Sequence, residues 1–155
     1  MRAQIFYRYD ISGYYSDRAK TRTGDWRVRP LQAEAFARVG ELELGLLQVA
    51  PEGADPGRRE DGLAEAAERC FALLNHDERP RGFEKQRSMS CGDIALIDGA
   101  VLHCVSAGFD WLRHAGALRA GLEALPLTPG PEFFTRSEQV MREAREREID
   151  PGPAL

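Results

Sequence analysis

Residues 3–10, "AQIFYRYD", alternate in character, with Ile5, Tyr7 and Tyr9 on one side and Gln4, Phe6 and Arg8 on the other. A period of two carried by aromatic and β-branched side chains predicts a strand. The period is lost in "ISGYYSDRAKTRTGD", where Gly13, Ser16, Asp17, Gly24 and Asp25 predict a loop that carries Tyr14 and Tyr15. Trp26 and Val28 fit a short strand. Pro30 then opens a predicted helix, "PLQAEAFARVG", with Leu31, Ala35, Phe36 and Val39 on one face and Gly40 as its stop. In "ELELGLLQVA", residues 41–50, Leu42, Leu44 and Leu46 alternate, which predicts another strand.

A polar Pro/Gly loop over 51–62 leads into the clearest helical pattern of the chain, "DGLAEAAERCFALLNH". Leu63, Ala66, Ala67, Cys70, Phe71 and Leu74 recur at helical spacing, with Glu65, Glu68 and Arg69 opposite. Asp61 is the expected N-cap, and Asn75 the expected left-handed end. "DIALID" and "AVLHCVSAGF" are two apolar runs around Asp98-Gly99. That dipeptide suits a tight type I′ turn and predicts a hairpin pairing Ile97 with Ala100, Leu96 with Val101 and Ile94 with His103. "ALRAGLEAL" predicts a short helix stopped by Pro126. "TRSEQVMREAREREI", residues 135–149, predicts a charged helix with a Thr135/Glu138 capping box and a narrow stripe of Val140, Met141, Ala144 and Ile149.

The elements sum to an α+β domain: a small antiparallel sheet with a C-terminal β-hairpin and one or two packed helices. Residues 1–112 are expected to form the core, and 113–155 a helical extension and tail. At 155 residues the chain is long enough to bury a real core.

Charge changes the picture only locally. The net charge of −4 excludes a broadly basic nucleic-acid binder. Residues 1–40 nevertheless carry eight basic side chains against four acids. Aromatic and basic groups interleave there, and Tyr14, Tyr15, Arg22, Trp26, Arg27 and Arg29 are the candidate binding residues. The alternative is a strand with core aromatics followed by a solvated loop. No apolar N-terminal run resembles a secretory signal, and no stretch is long enough to span a bilayer. The three cysteines, Cys70, Cys91 and Cys104, form no CxxC pair. A reduced, cytoplasmic protein without metal or cofactor is expected.

Candidate chemistry concentrates in "RSMSCGD", residues 87–93. A nucleophilic Cys91 would need a base, and the hairpin register brings His103 to the same end of the sheet. No surrounding motif matches a thiol protease, and Cys70 and Cys104 read as small core side chains. Asp10, Asp93, Asp98 and Asp110 lie at strand ends, where Asp commonly bonds local backbone. His76, His103 and His114 have no ligand spacing, and neither a Walker pattern nor GxGxxG occurs. Ser88 and Ser90 fit backbone hydrogen bonding where the chain enters the sheet. Arg87 with Asp93 would form a buried pair or mark a binding edge.

Arg87, Ser88, Met89, Ser90, Gly92, Asp93 and Ile94, with Gly108 and Phe109 further on, resemble the "RS-[LMT]-S-x-[GS]-D-[IV]" signature of the YodL-like group. These are small domains of bacterial plasmids, phages and conjugative elements. The resemblance covers residues 1–10 and 61–112. It implies no catalytic residues; Arg87, Ser88, Ser90, Gly92 and Asp93, together with the turn pair Asp98 and Gly99 read from the hairpin, are then a structural signature. It also implies accessory work for a mobile element, such as inhibiting a host defence protein. The expected function is therefore non-catalytic binding of a macromolecule, another protein first. A nucleic-acid-binding module using residues 6–29 is the alternative, and a hydrolase using Cys91 or Asp93 a third reading.

Overall fold

A computed structural model describes residues 1–11, 18–20, 26–28, 31–106, 108–128 and 130–133, with Glu138, Met141, Ala144 and Arg145 beyond them. For 18–20 and 26–28 it describes the backbone. The main sheet has five antiparallel strands in the order β4-β1-β5-β6-β7: β1 Arg2–Arg8, β4 Phe36–Glu43, β5 Ile94–Ile97, β6 Ala100–Val105 and β7 Gly108–Trp111. A separate two-stranded ribbon pairs β2, Arg18–Lys20, with β3, Trp26–Val28. Two helices complete the α+β architecture, α1 Pro56–Leu74 and α2 Gly116–Glu123.

The sheet is buried on both faces. On one, Ile5, Tyr7, Ala95, Ile97 and Leu102 pack with Leu63, Ala66, Ala67, Cys70 and Leu74 of α1. On the other, Phe6, Ile94, Leu96 and Val101 pack with Phe36 and with Leu122 of α2. Burying a side chain of this size contributes about 1.5–3 kcal/mol, so each helix does more than shield its face. A core drawn at residues 1–112 stops short of α2, whose Leu122 is fully buried, because the second sheet face needs an apolar cover. The charged helix predicted over 135–149 falls largely outside the described residues; Glu138, Met141, Ala144 and Arg145 are helical.

The hairpin forms in the predicted register, Ile97 opposite Ala100 and Ile94 opposite His103. Asp98 and Gly99 take positive φ, 47° and 77°, as a type I′ turn requires. "AVLHCVSAGF" is not one strand. It folds back on itself as β6 and β7, which makes a second hairpin.

Two predicted elements are replaced. In place of a helix over 30–40 there is a 3-10 turn, Ala33–Ala35, followed by β4. The cause is a bulge. Ile5 pairs with Gly40 but Phe6 pairs with Arg38, so Val39 is the extra residue. The slip lets Ala37, Val39, Leu42 and Leu44 share one face. Apolar residues out of strict alternation imitate helical spacing. The strand predicted over 41–50 ends at Glu43 and the chain turns at Gly45, leaving Leu44 buried and Leu46 99% exposed. Helix α1 starts earlier than predicted. Asp55 is its N-cap, accepting from the Gly57 amide, with Pro56 behind it. Asn75 ends it at a φ of −114°, outside the left-handed region, and its side chain donates to the carbonyls of Phe71 and Met89.

After α2, the chain rounds the β4 edge. Leu127 makes a parallel bridge to Arg38, and the Thr128 amide donates to the Arg38 carbonyl at 2.8 Å. Phe133 then arrives on the α1 side of the sheet, its ring 6.0 Å from that of Tyr7.

Candidate functional site

Asp93 is fully buried at the start of β5. Its Oδ1 accepts from the Arg8 amide at 2.8 Å and from Arg87 at 2.9 Å. Its Oδ2 accepts from Arg87 at 2.7 Å and from the Ser90 amide at 2.8 Å. Four N–H donors occupy the four acceptor positions of a carboxylate. Burial pushes the Asp93 carboxyl up, while the Arg87 guanidinium and the two amides pull it down. Arg87 also donates to the carbonyls of Ser88 and Arg8, and its guanidinium lies 4.3 Å from the ring centres of both Tyr7 and Phe133. This unit ties β1, the 87–93 segment and the C-terminal strap together.

The neighbouring signature residues serve the same junction. Ser88 accepts from Arg79 through its hydroxyl at 2.7 Å. The Ser90 carbonyl accepts from the Asp93 amide, and the buried Gly92 donates to the Cys104 carbonyl at 2.8 Å. Cys91 lies against the Cys104 thiol. It does not share a face with His103, since pleat alternation sends Cys104 toward α1 and the fully buried His103 toward the α2 side. Burial pushes the thiols of Cys70 and Cys104 up to about 12. Among the described residues, no group of three or more His, Cys, Asp or Glu is placed to hold a metal ion.

Asp98 leads to a second constellation. Its carboxylate accepts from Arg59 at 2.8 Å, and its carbonyl accepts from the same guanidinium at 2.9 Å. Arg59 is 5% exposed, held between α1 and the β5–β6 turn, and it also donates to the Ala50 carbonyl. It lines an open cleft of about 530 Å³ with Trp111, Arg113 and Arg119. The Trp111 ring centre lies 5.6 Å from the Arg59 guanidinium and 4.2 Å from that of Arg113. Arg119 lies so close to Gly99 that a Cβ there would come within 2.8 Å of its guanidinium. Gly99 thus serves both the turn and the cleft wall. Arg113 pairs with Glu60 at 2.8 Å and Arg119 with Glu123 at 2.9 Å, all four side chains being exposed.

Sequence reasoning missed this cleft. One sign of it was readable: Arg59 stands four residues before Leu63 and so extends the buried stripe of α1 with a cation. Trp111, Arg113 and Arg119 carry no local signal, because the β6–β7 turn and α2 bring them together. Of the predicted binding residues, Tyr14, Tyr15, Arg22 and Arg29 lie outside the described residues. The backbone of Trp26 pairs with Lys20, and that of Arg27 with Ala19.

No family model matches the chain, and no curated protein or solved structure matches it either. No described helix is long and apolar enough to cross a membrane.

Proposed function

We propose that this chain is a non-catalytic accessory protein of the cytoplasm that binds another protein through the arginine–tryptophan cleft. The observation that carries the reading is Trp111 held beside the guanidinium groups of Arg59 and Arg113 in an open cleft. Tryptophan and arginine dominate the energetics of protein interfaces, above all where a buried scaffold fixes them. A non-catalytic role is supported by Asp93, whose acceptor positions are all taken by N–H donors, leaving none for proton transfer. The resemblance of residues 87–94 to YodL-like domains supports a mobile-element setting, where the partner is a host defence protein that this chain inhibits. Affinity capture from the native host tests the reading. The wild-type chain should retain a partner that the Arg113→Glu/Arg119→Glu variant loses, with both proteins equally folded by circular dichroism. Equal capture by the two overturns it.

A nucleic-acid reading keeps one favourable observation. The β2–β3 ribbon sets Lys20 opposite Trp26 and Arg27 opposite Ala19, which brings cationic and aromatic positions onto one short hairpin. Oligonucleotide binding that falls steeply with salt would favour it, and no binding at low salt removes it.

A further inference from the structure

The cleft holds N–H donors that the protein does not use. Among the described residues, the buried Arg59 spends three of its N–H groups, on Ala50, on the Asp98 carboxylate and on the Asp98 carbonyl. A guanidinium has five. Helix α2 opens on the same space, with Ala115 and Gly116 in the cleft wall. Ala115 at its N-cap offers no side-chain hydrogen bond, and the first helical bond runs from the Arg119 amide to the Ala115 carbonyl. The amides of Gly116, Ala117 and Leu118 therefore precede the helical ladder without a capping side chain. Arg113 and Arg119 stand at the rim in exposed ion pairs, which are weak and readily exchanged for a better acceptor. Trp111 supplies an apolar wall.

We propose that this cleft binds an oxyanion, a carboxylate or a phosphate, carried on an apolar group that lies along Trp111. The inference rests on the cleft being the contact surface: the anion is the anchor that the partner inserts, on an acidic or a phosphorylated side chain. Gly116 of the uncapped helix start and Arg59 both line the cleft and supply N–H donors to the anion, with Arg113 and Arg119 at its rim.

Titrating the full chain with phenyl phosphate, phenylacetate and benzyl alcohol, while following the amide resonances of Gly116–Arg119, tests the proposal. One or both anions should give saturable shifts, and neutral benzyl alcohol none. A response to phenyl phosphate alone assigns the phosphoryl source; an equal or greater response to phenylacetate assigns the carboxylate. Gly116 provides the decisive variants, because a Cβ there meets nothing within 4 Å. Gly116→Asp puts a competing carboxylate at the helix start and should weaken anion binding at least about tenfold while raising Tm. Gly116→Ala adds the Cβ without the charge, and should raise Tm while weakening anion binding far less than Gly116→Asp does. No saturable shift with either anion, or equal binding by Gly116→Asp, overturns the proposal. If the anions fail to bind but the arginine reversals still abolish partner capture, the anion proposal falls and the contact surface stands. If the anions bind and capture ignores the reversals, the functional reading falls and the oxyanion site stands without its role as anchor.

Discussion

At Asp93, four N–H groups from three residues converge on one buried carboxylate. Removing it strands the Arg87 guanidinium between two rings, with two backbone amides unsatisfied. Breaking a buried pair in this way costs about 3–5 kcal/mol. Asp93→Ala should therefore lose that much in urea unfolding while keeping partner capture per folded molecule. A fully stable variant that fails to bind would show that Asp93 belongs to the contact surface. The buried thiols set a second expectation. Cys70 and Cys104 have folded values near 12, above those of the unfolded chain. Between the two values the unfolded state has released protons that the folded state keeps, so stability falls as pH rises above about 8.5. The slope approaches about 1.4 kcal/mol per pH unit for each thiol, and Cys70→Ala should reduce it in urea titrations from pH 7 to 10. Under native conditions a maleimide should modify the half-buried Cys91 before the other two; simultaneous labelling of all three would contradict the burial described.

Helix α2 meets the 3-10 turn at one close contact. A Cβ on Gly121 would come within 2.8 Å of the Ala33 Cβ. Gly121→Ala therefore sets a gain in helix propensity of about 0.5–1 kcal/mol against overpacking of about 1–3 kcal/mol. The contact should win, and thermal unfolding should show a lower Tm for Gly121→Ala and a higher one for Gly116→Ala. At this scale the sequence was legible where pattern and turn chemistry agreed. Alternation gave β1, Asp98-Gly99 pinned the hairpin register, and Pro126 bounded α2. It misled at β4, where the bulge at Val39 shifts the apolar phase and a period-of-two reading fails. The cleft was illegible for another reason. Arg59, Trp111, Arg113 and Arg119 span about sixty residues and meet only through tertiary packing.

Among the described residues, the sheet is sealed in stages: α1 over one face, α2 over the other, Leu127 and Thr128 along the β4 edge, and Phe133 against Tyr7. A chain ending at residue 112 would leave Phe6, Phe36, Ile94 and Val101 without Leu122 above them and Arg87 without Phe133. Truncation at 112 should yield an aggregating protein that binds a hydrophobic dye, while truncation at 133 should retain a cooperative unfolding transition. A soluble, cooperatively folded 1–112 fragment would show that α2 is dispensable.

The position of β1 in the sheet also has a consequence for synthesis. It is made before both of its sheet partners and is a central strand, bonded to β4 on one edge and to β5 on the other. Its first partner is complete at residue 43, and its second begins at residue 94. The ribosome adds about fifty residues in between, which at roughly 5–20 residues per second takes ~3–10 s. For that interval the nascent ribbon presents a row of unpaired amides and carbonyls on the inner edge of β1. Slow codons between residues 44 and 97 lengthen the interval, and on a crowded polysome they favour pairing between neighbouring nascent chains over completion of the sheet.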